Sequence, residues 1–191
     1  MSLCVYAGLS IFNNTIINNL IWVGSTNPID GNTNTAGFAG IRIGNGMEAH
    51  SIHDFTIRNN IIYTQNGPSI AFENYEEYAD TFTIENNLLY RTSGTDYVFQ
   101  NGGGSSPSVA QKLSFTQFKT LYSSFRNNLF ANPLFEDVSI NYYNQTGNFN
   151  FNYSAGSPAI DFGISTGAPA YDLRGVPRPQ GAGFDVGCYE Y

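Results

Sequence analysis

The nonapeptides FTIRNNIIY (55–63) and FTIENNLLY (82–90) lie 27 residues apart, agree at six positions and keep their apolar positions apolar. Each runs into an Asn pair through a period-two alternation, Phe55 and Ile57 against Thr56 and Arg58 in the first copy, which is the pattern of a strand with one buried face. The alternation predicts Ile57 and Ile84 inside, with Thr56 and Glu85 facing water and tolerant of change. Asn is one of the few non-glycine residues that accept the left-handed backbone, so an Asn pair can turn the chain within two residues. Strand, bend, strand is one corner of a coil.

With the amide pair as a marker, IFNNTII (11–17) and FRNNLFA (125–131) join IRNNIIY and IENNLLY, at spacings of 46, 27 and 41 residues. Propeller blades and leucine-rich repeats keep a constant unit length; coils carrying loops of different size do not need to. Coils stacked at the ordinary strand spacing of about 4.8 Å would set equivalent amides above one another as a hydrogen-bonded ladder. The marker makes Asn13/Asn14, Asn59/Asn60 and Asn86/Asn87 equivalent bends, with Asn127/Asn128 as a fourth.

The C-terminal part reads differently. LSFTQFKTLYS (113–123) places Phe115, Phe118 and Leu121 on one face of a short helix capped by Ser114 or Thr116. From Asn132 onward, Gly, Pro and aromatics without period suit a loop-rich cap over the open end of the stack. One domain results, with coils over 1–112 and the helix, last coil and cap over 113–191. Cys4 and Cys188 then sit at opposite ends, about 15–20 Å apart for four coils, too far for a disulfide; the alternative is a C-terminal stretch that folds back along the side wall, which would let Cys188 reach the first coil.

Charged residues are 12% of the chain, Asn reaches 23 and Gly 20, and the net charge is −7 with no basic run. That balance excludes phosphate-backbone recognition and hence nucleic acid. No apolar stretch is long enough for a membrane span, and MSLCVYAGLSIF lacks the basic start of a signal peptide. The expectation is a monomer without membrane insertion.

The IRNNIIY and IENNLLY coils resemble those of right-handed parallel β-helix proteins, the pectate-lyase-like superfamily with asparagine-ladder turns. The stretches LSFTQFKTLYSSFRNNLFANPLFED (113–137), NFNFNYSAGSPAIDFG (148–163) and DLRGVPRPQGAGFDVGCYEY (172–191) together resemble the closing segment of secreted β-helix proteins of Bacteroidetes. The resemblance implies an all-β, right-handed parallel β-helix with one short α-helix and a C-terminal cap. It further implies part of a longer secreted or cell-surface protein acting on an extracellular acidic polysaccharide, as a lyase, a hydrolase or a carbohydrate-binding wall. The alternative is a non-catalytic surface or adhesin module, since one architecture hosts both.

Candidate site residues follow from chemistry. A lyase needs a base beside a uronate α-carbon and a cation to neutralise the acid group; Arg58, Arg91 and His53 are the basic candidates. In HSIHD (50–54) the two histidines point to opposite faces of a strand and lack a third ligand, so no metal site is assigned. FENYEEYAD (72–80) gathers Glu73, Glu76, Glu77 and Asp80, which suits either a glycosidase carboxylate pair or a solvated loop. Trp22, Tyr75 and Arg91 are candidate carbohydrate contacts, because aromatic faces stack on sugar rings and Arg grips carboxylates. Tyr63 and Tyr90 belong either to that strip or to the core, and Asp161, Asp172 and Asp185 either bind calcium or cap backbone turns. Calcium is the one cofactor left open.

Overall fold

The computed structural model describes residues 3–6, 11–12, 14–23, 39–44, 52–65, 67–72, 79–93, 97–101, 111–138 and 150–191, with only the backbone given for 3–6, 11–12, 44, 52, 79, 97, 100–101 and 111. Among the described residues the fold is all-β with one short α-helix, and the strands form stacked parallel sheets. The first sheet pairs β1 (Leu3–Tyr6), β5 (Ile41–Gly44), β9 (Ile70–Phe72) and β12 (Tyr97–Asn101), and β13 (Gln111–Ser114) joins it antiparallel. The second pairs β3 (Thr15–Ile17), β7 (Thr56–Arg58), β10 (Thr83–Glu85) and β14 (Phe125–Arg126). The third pairs β4 (Leu20–Val23), β8 (Ile61–Thr64), β11 (Leu88–Arg91) and β15 (Leu129–Phe130). A short parallel pair, β2 (Ile11–Phe12) with β6 (Ile52–His53), and an antiparallel pair, β16 (Phe135–Asp137) with β17 (Asn150–Tyr153), complete the strands.

Alternation decides what lies between the sheets. Ile16, Ile57, Ile84 and Phe125 stand in register on the inner face of the second sheet, and Ile21, Ile62 and Leu89 on that of the third. Ile57 and Ile84 are fully buried, as the alternation requires. Each such side chain contributes roughly 1.5–3 kcal/mol by leaving water.

Between the second and third sheets the chain turns on two asparagines, and the structure corrects the register of the first. The equivalent bends are Asn18/Asn19, Asn59/Asn60, Asn86/Asn87 and Asn127/Asn128, whose leading members all have φ of 52–54°. NNTIINN holds two amide pairs, and the second is the corner; Asn13/Asn14 lies one strand too early. Successive ladder asparagines are therefore 41, 27 and 41 residues apart. The trailing asparagines form the ladder: Asn19, Asn60 and Asn87 each donate through Nδ2 to the Oδ1 of the next, at 3.1, 2.9 and 2.9 Å. Their backbone N–H groups reach the same oxygens at 2.9–3.0 Å. An amide suits this place because it donates and accepts at once.

The helix α1 (Phe115–Leu121) starts at a reciprocal capping box, in which Ser114 Oγ accepts from Gln117 N and Gln117 Oε1 accepts from Ser114 N. Phe118 enters the core, stacked 3.8 Å from Phe99 and 4.4 Å from Phe125. Leu121, expected on the same face, is 59% exposed; positions six apart are 120° off register on a 3.6-residue helix. Phe118 meets β12, the last parallel strand of the first sheet, and β14, the last strand of the second, so α1 covers that end of the core.

The cap expected from Asn132 onward lies elsewhere. The segment from Ala159 to Tyr191 runs down the side of the stack across the asparagine corners: Asn86 Nδ2 donates to Phe162 O, Asn59 Nδ2 to Ile164 O, and Asn18 Nδ2 to Asp185 O and Gly187 O. The leading asparagines point outward and need acceptors, which the strap's carbonyls supply. Under it, Ile61 and Leu88 from the outer face of the third sheet join Tyr153, Ala159 and Val186 in a second apolar cluster.

Candidate functional site

The outer face of the second sheet carries Ile17, Arg58, Glu85 and Arg126 in register. Arg58 donates to Glu85 Oε1 through Nε at 2.8 Å and NH2 at 2.6 Å, while Arg126 Nε donates to Oε2 at 2.7 Å. Burial pushes the Glu85 carboxyl up, but the hydrogen bonds and charges of Arg126 and Arg58 outweigh it and hold the group below its ordinary value. Arg58 also donates to Thr166 O of the strap. Its guanidinium is thus a clamp between coils and strap. Glu85 is 7% exposed, which corrects its reading as a tolerant, water-facing position.

On the outer face of the third sheet, Trp22, Tyr63 and Tyr90 stand in register. Trp22 stacks on Tyr63 at 6.0 Å, Tyr63 meets Tyr90 at 5.2 Å, and Phe135 approaches Tyr63 to 6.1 Å. Trp22 and Tyr63 are buried. The column is therefore an outer-face core, and its faces are taken up by one another and by Phe135 instead of lining an open sugar groove. Arg91, half-buried at the end of β11, is engaged in contacts of its own. Glu73, Tyr75, Glu76 and Glu77 lie outside the described residues.

His53 Nδ1 lies 2.6 Å from Asp54 Oδ2, and Asp54 occupies the left-handed region at φ 58° with its N–H donated to Thr81 Oγ1. The dyad ends the small β2–β6 sheet, just before Phe55 enters the core. An Asp-oriented imidazole can serve as a base.

In the strap the carboxylates hold turns. Asp172 Oδ1 accepts from Arg174 N and Val176 N, and its Oδ2 from Glu190 N. Asp185 accepts from Asp161 N and Tyr191 N, and Asp161 Oδ1 accepts from Gly183 N. These are backbone-capping roles, with both oxygens of Asp172 and Asp185 and Oδ1 of Asp161 accepting N–H groups. Arg178 pairs with Glu190, both side chains at most 1% exposed. Among the described residues no group of three or more His, Cys, Asp or Glu is placed to hold a metal ion.

A surface pocket of about 400 Å³ opens where the strap meets the first asparagine corner. Asn18, Asn19 and Leu20 form one side, and Pro169, Tyr171, Asp172, Leu173, Arg178 and Cys188 the other. Tyr171 is 61% and Leu173 73% exposed. Sequence reasoning missed this place because its two sides are about 150 residues apart and meet only through the strap. The second amide pair of NNTIINN was the available signal. The Cys4 side chain lies outside the described residues, while the pocket places Cys188, a free thiol, beside the first corner. Burial pushes its thiol up to about 11.

No protein-family model, curated protein or solved structure matches the chain.

Proposed function

We propose that the chain is part of a right-handed parallel β-helix of the pectate-lyase-like kind, belonging to a secreted or cell-surface protein, and that it binds a polysaccharide without cleaving it. The fold reading is supported by the strand order: the chain visits the three sheets in a fixed sequence, each strand pairs in parallel with its counterpart from the next visit, and an amide ladder lies at one corner.

The observation that carries the functional reading is the closure of the Arg58–Glu85–Arg126 column. Elimination from a uronate needs a base and a cation free to meet the substrate. Here the basic candidate Arg58 spends its donors on Glu85 and Thr166. Where the strap meets the first asparagine corner, the exposed Tyr171, Leu173 and Asn19 offer aromatic, aliphatic and amide surface, which suits sugar recognition. The lyase reading keeps one supporting observation, the His53–Asp54 dyad.

Affinity electrophoresis through gels carrying pectin, xylan or cellulose derivatives tests the proposal, run beside an ultraviolet assay for the unsaturated product of elimination. Retardation without product is expected. Accumulation of unsaturated product that stops in His53→Ala would replace binding with lyase chemistry, and free migration in every gel would end the polysaccharide reading.

A further inference from the structure

The geometry points to the pocket between the first asparagine corner and the strap as a binding site for a neutral sugar unit, stacked on Tyr171 and Leu173 and hydrogen-bonded to Asn19. This deepens the polysaccharide reading and rests on it.

Three observations carry it. First, the pocket's charges are paired and buried. Asp172 receives N–H donors from Val176, Glu190 and Arg174, and Arg178 is paired with Glu190 and with the carbonyls of Asp185 and Gly187. Of the Arg178 nitrogens, Nε has no partner among the described residues, but the side chain is 1% exposed. A uronate carboxylate would find no exposed cation among the pocket's lining residues and would meet a molecule of net charge −7.

Second, an acceptor is left over. The ladder runs one way, each rung donating to the oxygen of the next, so Asn19 gives its amide to Asn60 Oδ1 and Ile17 O. Among the described residues no donor reaches Asn19 Oδ1, and Asn19 is exposed. A sugar hydroxyl is a donor of the right kind.

Third, the apolar side chains are held out by the backbone. Tyr171 bridges to Pro177, while the N–H groups of Asp172 and Leu173 are bonded to Val176 O and Cys188 O. Fixed main chain with exposed side chains gives a rigid platform, and a rigid platform loses little entropy on binding. Pro169 extends the same rim. The volume, about 400 Å³, falls at the small-ligand end of the usual range of roughly 300–1,000 Å³.

The test is an array of neutral and uronate-containing oligosaccharides probed with the labelled chain and with Tyr171→Ala and Leu173→Ala. Both substitutions are at exposed positions, and unchanged thermal melts verify that the fold is kept. Binding to neutral glycans that weakens about tenfold in Tyr171→Ala, as loss of an aromatic platform predicts, supports the site. Neutral-glycan binding unchanged in both variants overturns the pocket and leaves the polysaccharide reading standing. Retention of uronate glycans alone overturns the neutral-sugar assignment, and retention of no glycan overturns both readings.

Discussion

At Glu85 the strand alternation points the side chain outward, yet two guanidiniums close over it. Outward and exposed are different properties on a sheet whose neighbours in register carry long side chains. Glu85→Ala should cost about 2 kcal/mol, since hydrogen bonds to charged groups are worth roughly 1.5–3 kcal/mol each and Arg58 is left poorly compensated. Thr56→Ala, on the same outer face, should cost about 0.5 kcal/mol or less. Urea midpoints for the two variants decide; equal losses would refute the ion-pair role. Gly187 makes a second residue-scale case. It sits at φ 97°, and a Cβ there would come within 2.6 Å of Tyr153 Oη and 2.9 Å of Ile61 Cδ1. Gly187→Ala should therefore destabilise by about 2 kcal/mol, from backbone strain plus the displaced neighbours, with a matching drop in melting temperature.

The amide ladder belongs to the scale of elements, because no single asparagine makes it. Asn87 accepts from Asn60 N and Nδ2 and donates to Ile57 O and Asn128 Oδ1, all while buried. Asn87→Ala takes the acceptor from Asn60 N and a donor from the Ile57 and Glu85 carbonyls, while Asn60 Nδ2 keeps Ile16 O and Asn128 Oδ1 keeps Asn87 N. The cost is about 1–3 kcal/mol for each group left buried and unsatisfied. Asn19→Ala should cost markedly less, since Asn19 is exposed and terminates the ladder. Comparable denaturation midpoints for the two would contradict the one-way ladder. The repeated nonapeptides already marked two of the four corners as strand, bend, strand, and the amide pair of FRNNLFA marked a third. Spacing narrowed the cap of α1 to Ser114 or Thr116, of which the structure selects Ser114. The first corner was misplaced because NNTIINN satisfies the marker twice, and pairing with β7, not local pattern, selects TIINN.

At the scale of the whole molecule, the strap joins distant coils and gives stability a pH dependence. Glu85 and Asp172 both have lowered carboxyl values. For Asp172 burial opposes the shift, but N–H donors from Val176, Glu190 and Arg174 outweigh it. A carboxyl lowered on folding adds stability above its unfolded value, near 4, and that contribution is lost as pH falls through the folded value. Asp185 has the opposite sign: burial raises it, with the Glu190 charge adding, so its contribution favours the fold at low pH and fades as pH rises. Asp172→Asn should flatten the acid limb of a stability–pH profile and Asp185→Asn should steepen it; melts between pH 3 and 7, roughly the carboxylate range, read both. In a Cys4→Ser background, the Cys188 thiol at about 11 should alkylate slowly at neutral pH and quickly once denaturant releases the strap. Fast alkylation of the folded chain would mean that the strap is not seated.

What the sequence determined by itself was local: which residues face inward along the strands, three of the four bends, and a short helix starting at Ser114 or Thr116. These follow from period, Asn backbone tolerance and capping, which operate within a few residues. Tertiary structure alone decided that Trp22 and Tyr63 are covered, that Arg58 and Glu85 hold one another, and that residues 159–191 lie on the side of the stack with α1 over its end. Each of these depends on which side chain meets which partner across the fold, 27 residues away for Arg58 and Glu85 and 105 for Asn59 and the Ile164 carbonyl. No local pattern encodes such a meeting, because it exists only once the strands have paired in parallel and brought the corners into line.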